Sequence, residues 1–144
     1  DTLEGRIIES GHKMIKRIII PDDVDKIKET LETMSSQKEI DCIITTGGTG
    51  LTGRDTTPEA VKEIASKHID GFGELFRQVS FDKIGTSAIQ SRAVAALINT
   101  TYVFCLPGST GACKDGWDEI LKYQLDIRHK PCNFVEIMPR LNEK

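Results

Sequence analysis

Short apolar runs alternate along the chain with stretches in which apolar residues recur every three or four positions. The runs are rich in β-branched residues and predict strands over 14–20, 42–45 and 101–106. The 42–45 run is apolar on both faces, which is typical of a strand buried in a parallel sheet. The region 88–98 fits helix or strand, and the Asn99-Thr100 turn that follows it favours a hairpin with the 101–106 strand.

The stretches with helical spacing carry the residues expected at helix ends. Asp22 or Asp23 can cap a helix whose apolar stripe begins at Val24. Thr57-Pro58-Glu59 combines a cap, a proline at the first helical position and an acid in the first turn. The predicted helices cover 3–8, 24–34, 57–67, 72–79 and 112–128.

Strands that alternate with helices predict an α/β domain, a three-layer α/β/α sandwich with a mostly parallel sheet. We expect residues 1–144 to form a single domain. Such domains normally open with a strand, whereas this chain opens with a helix, so we expect the N-terminal strand to be missing from it. Ligands of open α/β sheets bind at the carboxyl ends of the strands, and one such end would then be out of view.

Composition and charge narrow the possible partners. The chain has 144 residues, 38% of them hydrophobic, and a formal net charge of −3, which gives no general attraction to nucleic acid or anionic membranes. No apolar run approaches the roughly 18 residues of a membrane helix. The four cysteines have no zinc-ligand spacing with the three histidines, which indicates reduced structural thiols and a cytoplasmic protein.

The segment 47–53, GGTGLTG, matches two nucleotide-binding motifs in part. Its glycines spell G-x-G-x-x-G, but the next helix signal comes only at Thr57, and no acid ends a second strand about 20 residues on. As a P-loop, the segment would have Arg54 and Asp55 where Lys and Ser or Thr belong. Neither motif accounts for the loop.

The loop is nevertheless richer in glycine than a tight turn needs. Glycine lets the backbone approach a ligand closely, and successive free N–H groups can cradle an anion. We therefore predict an anion-binding loop that follows a buried strand. Its residues are Thr46, Gly47, Gly48, Thr49 and Gly50.

Asp22 and Asp55 both follow predicted strands, so parallel strands would bring the two carboxylates to one edge of the sheet. Beside a phosphate-binding loop, two carboxylates suit Mg²⁺, which prefers oxygen ligands and substrate phosphates. For Asp22 a role as helix cap is equally compatible with the sequence. Asp55 has no cap role, because Thr57 is expected to cap the next helix.

Three further places can be ligand contacts or structural features. Ser109 can cap the last helix, and exposed N–H groups there also favour phosphate. Glu74 lies one helical turn before Arg77 and can pair with it. The Ser91-Arg92 pair can contact a ligand or form a buried pair. The candidate binding residues in these places are Glu74, Ser91, Arg92, Pro107, Gly108 and Ser109.

Together these segments resemble the MoaB/MogA family of molybdenum cofactor biosynthesis proteins, the molybdopterin adenylyltransferases. The resemblance covers essentially the whole chain, and the tail QLDIRHKPCNF is closer to MoaB than to MogA. The segments that carry it are IPDD (20–23), TTGGTG (45–50) with Asp55, TPEA (57–60), GFGELFR (71–77), SRAVA (91–95) and LPGST (106–110).

The resemblance implies a sandwich that binds molybdopterin and ATP and transfers AMP to the terminal phosphate of molybdopterin, with Mg²⁺ and release of pyrophosphate. It places the two functional aspartates of the family, as catalytic and metal-binding residues, at Asp22 and Asp55. It also implies a homotrimer or homohexamer and contacts with other proteins of cofactor biosynthesis. The family's first strand ends in a Ser-Asp segment of the site, which has no counterpart in this sequence.

The main alternative is a non-catalytic molybdopterin-binding or scaffold protein of the same pathway. The presence of both aspartates argues against it, since binding alone would tolerate their loss. Related domains occur in the multidomain molybdenum-insertion proteins and in competence-damage-type proteins, and the MoaB-like C-terminal half disfavours the latter. The sequence leaves open whether the pathway delivers molybdenum or tungsten.

Overall fold

The computed structural model describes residues 2–143 and shows an α/β fold built on a four-stranded sheet. The strands are β1 (Cys42–Thr46), β2 (Lys67–His68), β3 (Val94–Ile98) and β4 (Thr101–Leu106), in the order β1-β4-β3-β2. β1 and β4 run parallel, whereas β3 is antiparallel to both β4 and β2. The predicted α/β class is confirmed, but the sheet is parallel only in the β1–β4 pair.

Helices form at all the predicted places. They are α1 (Thr2–Glu9), α2 (Val24–Ser35), α3 (Thr57–Ile64), α4 (Asp70–Ile84), α5 (Thr110–Gly116) and α6 (Lys122–Gln124), with a π-helical turn at Trp117–Leu121 and 3₁₀ turns at Gly85–Gln90 and Met138–Arg140. The last helical segment stops before Arg128, because the Asp126 carboxylate accepts hydrogen bonds from the Arg128 backbone and guanidinium and so favours a turn. Within residues 2–143, no helix has the length and apolar character needed to cross a bilayer.

The ambiguous region 88–98 resolves into a 3₁₀ turn followed by β3, and the favoured hairpin with β4 is confirmed. The hairpin is closed by the Ile98–Thr101 pair, and Asn99 at the turn has φ +57°. Asparagine tolerates this left-handed conformation better than most residues, which is why the turn forms here.

Side chains alternate along β4, which lies between β1 and β3, and fill a core on each face of the sheet. Tyr102, Phe104 and Leu106 pack on one face with residues of α1, α4 and the helical segment 110–125. Val103 and Cys105 point to the other face, where α2 and α3 cover them. Because helices cover both faces, the predicted three-layer α/β/α arrangement is confirmed.

The predicted strand over 14–20 is wrong, because this segment forms no strand and Ile19 is 96% exposed. β-branched residues favour an extended backbone, but a strand also needs a neighbour that completes its hydrogen bonds. In the described part of the chain β1 pairs only with β4. A crevice of about 1570 Å³ lies along the other side of β1, and residues 12–20 line it.

Candidate functional site

Two loops leave the carboxyl ends of β1 and β4 at the same edge of the sheet. Thr46 is in register with Leu106, and the Gly47 N–H donates to the Leu106 carbonyl at 2.9 Å. A Cβ atom on Gly108 would lie 3.4 Å from the Gly47 Cα, so the loops are in contact. The fold therefore brings together the predicted binding residues of 46–50 and 107–109.

The glycine loop, residues 47–56, is hydrogen-bonded to the first residue of α3. Gly47 and Gly48 have φ +93° and +74°. The Thr57 N–H donates to the Gly48 carbonyl at 3.1 Å, and its hydroxyl donates to the Gly47 carbonyl at 3.3 Å. The predicted cap role of Thr57 is wrong: Thr57 lies inside α3, and Thr56, at the cap position, makes no capping bond with its side chain.

The glycine loop leaves several backbone donors available. In the portion of the chain that the structure describes, six N–H groups of the loop have no hydrogen-bond acceptor within the protein, those of Gly48, Thr49, Leu51, Gly53, Arg54 and Thr56. Free N–H groups in a loop before a helix form a concave site that suits an anion such as phosphate. The anion-binding role predicted for this loop is consistent with that geometry.

Asp55 folds back onto the glycine loop. Its Oδ2 accepts hydrogen bonds from the Thr52 backbone N–H at 2.9 Å and from the Thr52 hydroxyl at 2.7 Å. A Cβ atom on Gly50 would lie 2.7 Å from this oxygen, so only glycine leaves room for the carboxylate. The Thr52 hydroxyl, with its backbone N–H, lowers the pKa of Asp55, which keeps the carboxylate charged beside the free N–H groups.

We expect the Asp55 carboxyl to titrate below its ordinary pKa of 3.8, and Thr52→Ala to move the pKa upward. Because the pKa of Asp55 is lower in the folded than in the unfolded protein, the ionised carboxylate stabilises the fold at pH values above the unfolded-state pKa. This stabilisation is lost as the pH falls through the folded-state pKa. Carbon NMR of the Asp55 carboxyl group as a function of pH measures its pKa in the wild type and in Thr52→Ala. Thr56→Ala is the control, because the Thr56 hydroxyl has no hydrogen-bond partner among residues 2–143. A wild-type pKa at or above 3.8 would contradict the assignment.

Asp22 is exposed, and its carboxylate has no hydrogen bond or ion pair within the described residues. The cap of α2 is Asp23, whose Oδ1 accepts from the Lys26 N–H at 3.0 Å. The helix-cap alternative for Asp22 is therefore ruled out. The carboxylate remains available to a ligand, and its predicted catalytic and metal-binding role stays a prediction.

Mg²⁺ fits this site as an ion held largely by substrate phosphates. Among residues 2–143 no group of three or more His, Cys, Asp and Glu side chains is placed to hold a metal. Mg²⁺ does not need such a cage, since it usually binds one or two carboxylates, waters and substrate phosphates. The charged Asp55 carboxylate, next to a loop suited to phosphate, meets that requirement.

Arg92 lies against the glycine loop and binds three of its carbonyl groups. Its N–H donates to the Thr49 carbonyl at 2.9 Å, its Nε to the Gly50 carbonyl at 2.7 Å and its Nη2 to the Asp55 carbonyl at 2.8 Å. The guanidinium also forms an ion pair with Glu59 on α3. The sequence left open whether Arg92 contacts a ligand or forms a buried pair. Arg92 pairs with Glu59, but the two side chains are 31% and 49% exposed, so the pair is not buried, and the predicted binding role of Arg92 stays a prediction. Sequence reasoning missed Glu59 as the partner of Arg92.

Glu74 and Arg77, one turn apart on α4, do not pair in the described structure. The Arg77 Nη1 donates instead to the carbonyls of Ser91 and Ala93, at 3.3 and 3.0 Å. Glu74 is exposed and, with Arg77, lines a cavity of about 270 Å³ beside the start of β3. Ser91 accepts a hydrogen bond from the Ala93 N–H at 3.3 Å. The binding roles of Glu74 and Ser91 stay predictions.

Ser109 caps α5, because its hydroxyl accepts from the Ala112 N–H at 3.1 Å. This confirms the structural role that the sequence allowed. Its second predicted role, in phosphate binding, stays a prediction, as do those of Pro107 and Gly108.

Gly48→Ala is expected to destabilise the fold by about 1–3 kcal/mol, because it puts a side chain at positive φ and its Cβ would overlap the Thr57 hydroxyl. Gly53→Ala is the matched control in the same loop, since no atom lies within 4 Å of a Cβ there and its φ is not positive. Urea unfolding compares the two variants. Equal stability of both would show that the strain at Gly48 is absent.

The sequence is similar to those of known proteins. The family described as "probable molybdopterin binding domain" matches residues 1–127. Molybdenum cofactor biosynthesis protein B of Escherichia coli (strain K12) is 42% identical over 126 residues, which cover 88% of this chain and 74% of that protein.

Two solved structures share the fold. A crystal structure of molybdenum cofactor biosynthesis protein B has a TM-score of 0.87 and 35% identity, and the match covers 99% of this chain and 84% of the other. The tungsten cofactor synthesizing protein MoaB from Pyrococcus furiosus has a TM-score of 0.73 and 33% identity, with 81% and 74% of the two chains covered.

Proposed function

The chain belongs to the MoaB/MogA family, closer to MoaB, and on that premise we propose that it acts in molybdenum cofactor biosynthesis as a molybdopterin adenylyltransferase. The relatives support the role in molybdenum cofactor biosynthesis, and the adenylyl transfer is our proposal for the reaction. Its substrates are ATP and molybdopterin, and its products are adenylylated molybdopterin and pyrophosphate.

The glycine loop carries this proposal. Six of its N–H groups have no acceptor within the described protein, and the ionised Asp55 carboxylate lies against the same loop. Phosphate groups satisfy the donors, while a carboxylate beside phosphates is repulsive unless a cation lies between them. The loop therefore suits a phosphate substrate accompanied by a metal ion, as an ATP-dependent transfer requires.

In the proposed reaction a terminal phosphate oxygen of molybdopterin attacks the α-phosphorus of ATP. A new P–O bond forms there, the bond between the α-phosphorus and the bridging oxygen breaks, and pyrophosphate leaves. The nucleophile is already ionised at neutral pH, so the protein needs no strong general base. Its contribution is to position the two substrates and to offset the charge that develops on the phosphate oxygens.

The proposed reaction divides phosphate, metal and molybdopterin binding among different residues. The N–H groups of the glycine loop bind phosphate oxygens, and Asp55 and Asp22 would hold the metal. Mg²⁺, when bound, neutralises phosphate charge during the transfer. Glu74 lines the cavity beside the start of β3, and Ser91 lies three residues before that strand; we place molybdopterin in this region.

The reaction is tested by incubating the protein with molybdopterin, ATP and Mg²⁺ and following adenylylated molybdopterin and pyrophosphate by mass spectrometry. We expect both products to form in equal amounts. Molybdopterin that binds tightly but yields no product would overturn the transferase. It would favour the scaffold alternative.

We also propose that the protein is a homotrimer or homohexamer. Phe81, Ile84 and Ile89, at the end of α4 and in the following 3₁₀ turn, are 54%, 60% and 82% exposed. Apolar side chains clustered on a surface commonly mark an interface between protein chains. Sedimentation velocity of the wild type and of Ile89→Lys measures the assembly, and we expect the variant to dissociate. A monomeric wild type would contradict this proposal.

A further inference from the structure

Arg92 controls the direction of three peptide planes in the glycine loop. Its backbone N–H and its Nε and Nη2 groups bind the carbonyls of Thr49, Gly50 and Asp55, at 2.7 to 2.9 Å. All three carbonyls therefore point toward Arg92. Arg92, 37 to 43 positions away along the chain, thus sets the local backbone of the loop.

The orientation of these carbonyls also sets the direction of the N–H groups that follow them. In a trans peptide the C=O and N–H point in opposite directions within one plane. The N–H groups of Leu51 and Thr56 consequently point away from the guanidinium, and both lack an acceptor within the described protein. Two of the free N–H donors of the loop therefore owe their direction to Arg92.

Glu59, in the first turn of α3, holds the Arg92 guanidinium in place. It pairs with the Arg92 guanidinium, and its Oε1 accepts from Nη2 at 3.2 Å. Without this carboxylate, the positive charge of Arg92 would compete with the loop for the phosphate. With it, the guanidinium is neutralised and is oriented toward the loop carbonyls.

We infer that Arg92, held by Glu59, is a positioning residue that turns the Leu51 and Thr56 N–H groups toward the bound phosphate. The inference rests on the proposed function, since it assigns those N–H groups to the phosphates of ATP. Only arginine suits the position. Its planar group has several donors in fixed directions, whereas lysine has a single point of charge on a flexible stem.

Arg92→Lys and Glu59→Gln test this role, and Glu63→Gln is the matched control. Glu63 lies one turn further along α3 and pairs with Lys28, so its loss removes an ion pair of the same kind away from the loop. Three readouts apply to each variant. They are the affinity for Mg·ATP by calorimetry, amide hydrogen exchange by NMR, and the kcat and KM of AMP transfer.

We expect Arg92→Lys to weaken Mg·ATP binding by roughly 10- to 100-fold, the loss seen when residues that support the ligands of a metal site are replaced. The loss should appear mainly in KM. Exchange of the Asp55 and Thr57 amides, which bond within the loop, should become faster while core amides stay unchanged. Glu59→Gln should show the same changes to a smaller extent. Glu63→Gln should show neither weaker Mg·ATP binding nor faster exchange of the loop amides.

Weaker binding with unchanged loop exchange would overturn the inference, because Arg92 would then contact the ligand directly. Unchanged binding and exchange in both variants would also overturn it. Binding and exchange do not depend on turnover. A wild-type protein that binds Mg·ATP and forms no product would therefore refute the proposed reaction, while these two readouts still decide the role of Arg92.

Discussion

Replacing Asp55 with asparagine is expected to lower the rate of AMP transfer by on the order of 100-fold, as the loss of one charge-stabilising group does in other active sites. The variant keeps the shape of the side chain, and its amide oxygen can still accept from the Thr52 N–H. What it loses is the negative charge that would hold Mg²⁺ beside the phosphates. The loop should therefore keep its fold and lose its metal.

Steady-state assays of pyrophosphate release, with molybdopterin and ATP both saturating, measure this effect on kcat. Asp41→Asn is the control, because Asp41 is exposed and directly precedes β1, at the opposite end of that strand from the glycine loop. We expect the control to be as active as the wild type. Full activity of Asp55→Asn would remove Asp55 from the reaction and would leave Asp22 as the predicted metal ligand.

Phe104→Ala is expected to lower the free energy of unfolding by about 3–5 kcal/mol, the usual cost of removing a buried aromatic ring. Phe104 is fully buried in β4. Its ring centroid lies 5.2 Å from that of Phe72 on α4 and 5.6 Å from that of Phe134. The cavity would thus open where the sheet, α4 and the C-terminal segment meet.

Urea unfolding followed by circular dichroism measures the loss, and Leu75→Ala is the control. Leu75 lies on α4, is 44% exposed and is not among the residues proposed for the interface, so its truncation removes little buried area. We expect a much smaller change for this variant. If the two variants were equally stable, the packing of α4 on the central strand would be in doubt.

The local chemistry of the chain was sufficient to predict most elements. The apolar run at 101–106 forms β4, and Thr57-Pro58 lies at the start of α3. The glycine loop likewise follows β1, as expected. Each of these features depends on backbone preferences and on neighbours within a few residues, so a local pattern is enough to specify them.

The errors came from interactions between distant residues. The run at 14–20 has the composition of a strand, but no strand in the described chain pairs with it. The sheet is less parallel than expected, because β2 pairs antiparallel with β3 and only β1 and β4 run parallel. The period of apolar residues along a strand specifies neither its pairing partner nor the direction in which it pairs.

The sequence by itself determined the α/β class, the glycine loop and the family to which the chain belongs, because these depend on short motifs in a recognisable order. The tertiary structure alone decided that Asp23 caps α2, that Thr52 orients Asp55 and that Arg92 binds three loop carbonyls. Arg92 and Glu59 are 33 residues apart. A hydrogen bond depends on distance and angle in space, and only the packing of β3, β4 and α3 brings these groups together.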